Sequence, residues 1–268
     1  MNTAVFVEQL IADRKAQYNA GGILLSSACW DTALACVEWA YVYGAWGAEC
    51  TPSERRKRLG YNPDHTTIET ACQVLSGKKT TCDGCKWYPD RFRTRCFDCR
   101  GFTDWVLKEV AGFDLYGDTV SSQWNHADNW CAKGTIKDPI PQGVLVNIFI
   151  CKDGKWTHTG FYKDGATVEC SSGVQYFATM KPNRWTHWAV ARCFKNELKE
   201  AEKVAEGTAI VTGKNVAIRK DRSTASKCIT RVKTGQTVQL KDPPPEEWDY
   251  VEYKGTKGWM MKEFLREG

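Results

Sequence analysis

The sequence predicts an α+β domain, with helices packed on an antiparallel sheet, followed by a small all-β barrel. Three observations predict it. Apolar residues recur at helical spacing in two places in the first half, and three strand-like runs follow one another after Pro141. From Thr208 onward the chain breaks into short alternating runs split by turns. A chain of 268 residues has room for one well-buried domain and a smaller one.

The opening run, MNTAVFVEQLIADRKAQ, reads as an amphipathic helix; Glu8, Asp13, Arg14 and Lys15 deny it the unbroken apolar stretch of a secretory signal. Charged residues interrupt every other apolar run, so no membrane insertion is expected. In SACWDTALACVEWAYVYGAWG, Ser27 to Gly47, the spacing of Ala33, Cys36, Val37, Trp39 and Ala40 predicts a buried helix that the glycines end. From about residue 49 to 95 periodicity fails, and the basic cluster ERRKR and the pair CDGC mark an insertion held by something other than a large apolar core. Helical spacing returns in GFTDWVLKEVAGF, Gly101 to Phe113, through Phe102, Trp105, Val106 and Val110, with Cys99 just before the first turn.

GVLVNIFI, KWTHTGFYKDG and ATVECSSG then predict three consecutive antiparallel strands. The charged helical stretch KNELKEAEKVAEG, Lys195 to Gly207, separates them from the tail, so the domains are read as 1–198, a linker 199–207, and 208–268. In the tail AIVTGKNVAIRKD, ITRVKTGQTVQLKD, WDYVEYKG and TKGWMMKEFL are short strands.

The net charge of +5 is spread along the chain. It suits a protein that approaches an anionic surface such as a bacterial wall without requiring nucleic acid. Thirteen cysteines in a chain without a signal sequence argue for thiol chemistry, metal binding or plain burial rather than a disulfide framework.

The stretch TCDGCKWYPDRFRTRCFDCRGF holds two C-x-x-C pairs and admits two readings. Either Cys82, Cys85, Cys96 and Cys99 form a zinc ribbon, or Cys99 is a nucleophile, because a thiolate closed into a tetrahedral site has no lone pair for attack. In the second case Cys82, Cys85 and Cys96 remain candidate structural zinc ligands, with Cys50 or Cys72 as the fourth. The ribbon reading would use Lys86, Arg91, Arg93 and Arg95 with Trp87, Tyr88 and Phe92 as a nucleic-acid surface. It leaves the HTGFY strand and the tail unexplained, so no nucleic-acid partner is expected.

Position favours the nucleophile. A cysteine where a helix begins has backbone N–H groups directed at its sulfur, and a histidine on a following strand can take its proton. The residues around it resemble the NlpC/P60 cysteine peptidases: FDCRGFTDWVL resembles their nucleophile motif, THTGFYKDGATVEC their histidine strand pair, and YVYGAWG their tyrosine-bearing turn. The tail resembles a bacterial SH3b domain through NVAIRKDRST, VKTGQTV and KGWMMKEFL, a pairing similar to that of phage and prophage endolysins of Gram-positive hosts. Arg100 stands where the family usually has serine, and Glu169 where it often has histidine, aligned with one gap in the KDG turn.

The resemblance implies a papain-like catalytic domain with Cys99 as nucleophile, His158 as base, Glu169 orienting it, and the Tyr41 hydroxyl near the thiolate. His126 and His187 are left structural. It implies a peptidoglycan endopeptidase cutting between D-glutamate and the diamino acid, or an amidase cutting between muramic acid and L-alanine with the same dyad. No cofactor is needed for catalysis. A monomer is expected, made in a bacterial cytoplasm and acting on the wall after release.

Overall fold

The computed structural model describes residues 3–59, 72–88, 93–206, 208–221, 223–240 and 248–267. The chain divides into two compact units, Met1–Leu198 and Lys199–Gly268. It is an α+β protein whose larger sheets are antiparallel throughout.

In the first unit, α1 (Thr3–Asn19) packs on α2 (Leu25–Ala35). Leu24, at the N-cap of α2, offers no side-chain cap. The Glu197 carboxylate takes that place, accepting from the backbone N–H of Leu25 at 2.7 Å and of Ser26 at 3.1 Å, an anion where the helix dipole favours one.

The helix predicted over Ser27–Gly47 stops at Ala35. Glu38 turns into the left-handed region at φ 72°, and Ala40–Tyr41 becomes a strand, β1. Pairing outweighs helical spacing here: β1 runs parallel to β3 (Arg95–Phe97), and β2 (Trp46–Glu49) runs antiparallel along the other side of β3. Aromatic and β-branched residues such as those of the YVY run suit this pleated setting. The insertion begins with α3 (Pro52–Leu59) and has a small apolar cluster of its own, in which Cys50 and Trp87 pack with Ala40, Val42, Ala45 and Cys96. Arg91 and Phe92 lie outside the described residues.

Two further helices follow, α4 (Cys99–Ala111) and α5 (Val120–Asn125). Gly112, at φ 63°, closes α4, the left-handed C-terminal position for which glycine has no Cβ penalty. The apolar face of α4 buries Phe102, Val106, Leu107 and Val110, and Phe102 meets Phe161 of the main sheet edge-on at 5.8 Å.

That sheet contains β4 (Trp130–Thr135), β5 (Val146–Lys152), β6 (Lys155–Lys163), β7 (Ala166–Cys170), β8 (Val174–Phe177) and β9 (His187–Ala191), in the order β4-β9-β5-β6-β7-β8. The three strands read from periodicity are β5 to β7. The others carry weak alternation: β9 is buried at four consecutive positions and β4 is mostly half-buried. Between β6 and β7 a two-residue turn, Asp164 at φ 48° and Gly165 at φ 97°, pairs Lys163 with Ala166 and sets Gly160 opposite Glu169. Positive φ at both turn residues matches the twist of a tight hairpin.

A last helix, α6 (Lys195–Glu206), occupies most of the stretch expected as a linker, and Gly207 lies outside the described residues. The second unit is a seven-stranded antiparallel sheet of β10 (Thr208–Val211), β11 (Val216–Arg219), β12 (Cys228–Val232), β13 (Thr237–Leu240), β14 (Trp248–Tyr253), β15 (Thr256–Met261) and β16 (Leu265–Glu267). Val211, Ile218, Val232, Val238, Val251 and Met260 form its core.

Candidate active site

Cys99 is the first residue of α4, and the side chain before it makes the helix start there. Asp98 is the N-cap, accepting from Gly101 N at 2.6 Å with one carboxylate oxygen and from Gly44 N at 2.9 Å with the other. One carboxylate thus fixes both the helix start and the YGAWG turn, and Asp98 N donates to Ala45 O at 3.0 Å to complete the seam.

Gly101 is what allows that seam. A Cβ there would lie 2.0 Å from Ala45 O and 2.7 Å from Trp46 Cδ1. Gly101→Ala is therefore expected to lift the turn from the helix, destabilising the protein by about 1–3 kcal/mol and lowering turnover by roughly a hundredfold through misplacement of Cys99. Thermal unfolding and turnover read both effects, and an unchanged variant would mean that the turn does not depend on this approach.

The Cys99 sulfur lies beside the backbone of Thr159, whose N–H, with those of Arg100 and Cys99, is near enough to favour the thiolate. Thr159 directly follows His158 and lies beyond the Gly160–Glu169 rung, the terminal pair of β6 with β7 on that side, so its N–H is left to the thiol. Burial pushes the Cys99 thiol up to about 12, Asp98 adds to the rise, and the three backbone donors oppose it. Tyr41 is held close: burial first, then the charges of Cys99 and Asp98, raise its hydroxyl well above the usual range.

His158 and Glu169 share one sheet face because His158 is two residues from Gly160 and Gly160 is opposite Glu169. The intervening position carries no side chain, so the His158 ring reaches across it, Nε2 to Glu169 Oε2 at 2.5 Å. A Cβ on Gly160 would stand 3.1 Å from both Glu169 Cβ and the Trp185 ring. Trp185 stacks on the imidazole at 5.5 Å between centroids. The same Oε2 accepts from an Arg184 terminal nitrogen at 2.5 Å. Glu169 is 1% exposed. Burial raises its pKa, but the hydrogen bonds and charges of His158 and Arg184 outweigh this and hold the carboxyl below its usual value.

Tyr41, Cys99, His158 and Glu169 are thus gathered around the head of α4 and the near end of β6. Asp98, Thr159, Arg184 and Trp185 join them without having been singled out in the sequence. Asp98 carried a readable signal, an acidic residue three before Gly101 at a helix start; Arg184 and Trp185 arrive from a distant loop. Arg100 is buried, donating to Gly117 O at 2.9 Å, pairing with Asp104 at 3.2 Å and lying 4.4 Å over the Trp46 ring. His187 packs against Trp124 and Trp156, and His126 stacks on Tyr116.

The cysteine pairs part company. Cys82 and Cys85 line a small cavity with Cys50 and Cys72, whereas Cys96 lies in β3, its thiol donating to Ala48 O at 3.4 Å. Of the basic residues between the pairs, Lys86 and Arg93 lie over the Trp87 and Tyr88 rings, and Arg95 donates to Gly47 O and Glu8.

No protein-family description and no curated protein matches the chain. Among solved structures it is similar to NlpC2 from Trichomonas vaginalis, 11% identical over 48% of this chain and 46% of that one, with a TM-score of 0.21. It is also similar to Ly7917, 12% identical over 61% of this chain and 82% of that one, TM-score 0.24. The same protein with the hydrolyzing product of MDP matches at 12% over 61% and 83%, TM-score 0.24. The match spans less than half of NlpC2, and likeness this slight decides neither family nor chemistry.

Proposed function

We propose that this chain is a peptidoglycan hydrolase, a papain-like cysteine peptidase of the NlpC/P60 type that cuts an amide of the stem peptide, at the bond between D-glutamate and the diamino acid. The second unit is an SH3b-like module that holds it on the wall, in the manner of an endolysin acting after release. The observation that carries this reading is the pairing of His158 with the buried Glu169 carboxylate, one residue from Thr159, whose backbone lies near Cys99 at the head of α4.

The ionised Glu169 accepts from Nε2–H, which fixes the tautomer and leaves Nδ1 as the base. Nδ1 takes the Cys99 proton as sulfur attacks the amide carbonyl, and the tetrahedral oxyanion is met by the Cys99 backbone N–H. Nδ1–H then protonates the leaving amine, and water activated by the same nitrogen hydrolyses the thioester. Tyr41 borders the sulfur and the substrate path.

The test is mass spectrometry of fragments released from purified Gram-positive sacculi by the full chain under reducing conditions. New termini inside the stem peptide, lost once Cys99 is shown by mass to be alkylated, are expected. Release that ends at the lactyl group of muramic acid would replace the endopeptidase by an amidase. Undiminished release by the alkylated protein would overturn cysteine chemistry.

A further inference from the structure

Outside the active site, reactive groups converge in the insertion. A cavity of about 10 Å³ is walled by Cys50, Cys72, Cys82 and Cys85 together with Arg55 and Trp87, room for about one water-sized body. The sulfurs come from three segments, two of them fastened to each other. Cys82 and Cys85 flank a tight turn closed by Cys85 N donating to Cys82 O at 3.0 Å, with Gly84 at φ 73°. Cys72 opens a second turn, and the neighbouring Gln73 side chain donates to Thr81 O and Asp83 O, each at 3.0 Å, stitching it to the first. Cys50 follows β2 and accepts from Arg55 Nε at 3.2 Å.

The donors around the cavity show what it lacks. Arg55 is 1% exposed, yet neither of its terminal nitrogens has a hydrogen-bond partner among the described residues, and Trp87 Nε1 has none either. A buried guanidinium whose terminal nitrogens lack an acceptor is costly to leave so, and neutral thiols are weak acceptors.

We propose that Cys50, Cys72, Cys82 and Cys85 bind one zinc ion as a structural tetrathiolate, with Arg55 and Trp87 donating to its sulfurs. Four thiols release four protons to solvent and form four Zn–S bonds, giving a centre of net charge −2 that Arg55 half offsets. In the thiol form no three ligating groups among the described residues yet converge on one point, so the ion draws the turns inward. Cys96 does not line the cavity and its thiol donates to Ala48 O at 3.4 Å, so it is left out of the ligand set. The proposal stands apart from the peptidase reading and survives its failure.

Elemental analysis of the full chain, purified with reductant and no chelator, is expected to find one zinc per chain. Cobalt exchange should give the d–d and thiolate charge-transfer bands of a tetrahedral sulfur site. Alkylation of the wild type should spare Cys50, Cys72, Cys82 and Cys85 with metal present and label them once a chelator is added, without requiring any variant to fold. Arg55→Gln should weaken metal affinity roughly 10–100-fold, while Cys96→Ser leaves it unchanged. A chain that takes up neither zinc nor cobalt, or metal-dependent protection of Cys96 in place of Cys72, overturns the proposal.

Discussion

Cys99→Ala is expected to lower kcat/KM on a soluble stem-peptide fragment by about ten-thousandfold or more, with thermal unfolding little changed because the thiol is only half-buried. Cys99 lies next to the Asp98 carboxylate and largely out of water, so the resting sulfur is a thiol, pushed up to about 12 against three backbone N–H groups. In the proposed mechanism sulfur becomes nucleophilic only as its proton leaves for His158, so attack and proton transfer are linked and substrate that displaces water at the site favours both. The bare protein should accordingly react slowly with iodoacetamide at Cys99 near neutral pH, with a rate still climbing at pH 10 rather than levelling off. Cys99→Ser should be as inactive as the alanine variant, since a hydroxyl is harder still to ionise in the same surroundings. A variant retaining more than about a hundredth of wild-type kcat/KM would remove Cys99 from the chemistry, because the loss of a true nucleophile leaves far less.

How much of this could be read in the sequence depended on range. Cys99 at the head of α4 follows from local spacing, and the hairpin that brings Glu169 to His158 follows from the KDG turn between two strand-like runs. The diagonal reach across Gly160 is also local, a glycine two residues after the histidine. Tyr41 stands not at the end of the predicted helix but within a strand whose pairing to β3 only the folded chain makes visible. Arg184 and Trp185 lie in the approach to β9, a strand buried on nearly every residue and so lacking the alternation that marks a strand in sequence. The sequence offers Cys72 only as an alternative to Cys50 beside the CDGC pair, since the chain between them shows no periodicity and the turns are joined by side-chain to backbone bonds.

Glu169→Gln is expected to lower kcat by roughly a hundredfold or more while KM stays within about threefold, the pattern of a residue that supports the base without touching substrate. The reason is the double pairing of one carboxylate oxygen with His158 and Arg184. An ionised carboxylate accepts from both and stabilises the imidazolium formed when Nδ1 takes a proton; glutamine's oxygen, with two lone pairs, still accepts from both but carries no charge. The ring keeps its orientation while the charge that favours proton transfer is gone. Nitrogen-15 spectra of the imidazole should therefore report the wild-type tautomer, which separates loss of charge from loss of orientation.

Arg184→Ala should be far milder, about tenfold, since the His158–Glu169 bond survives and the arginine is a third exposed at its side chain. The sign of the pH effect follows from the lowered carboxyl. Stability contributed by Glu169 is present above the pKa of an unfolded glutamate and is lost as pH falls through the lower folded value, so wild type should lose stability on acidification over that range while Glu169→Gln does not. If Glu169→Gln kept a tenth or more of wild-type kcat, the Glu169 charge would not assist the base and Glu169 would be a structural anchor for Arg184.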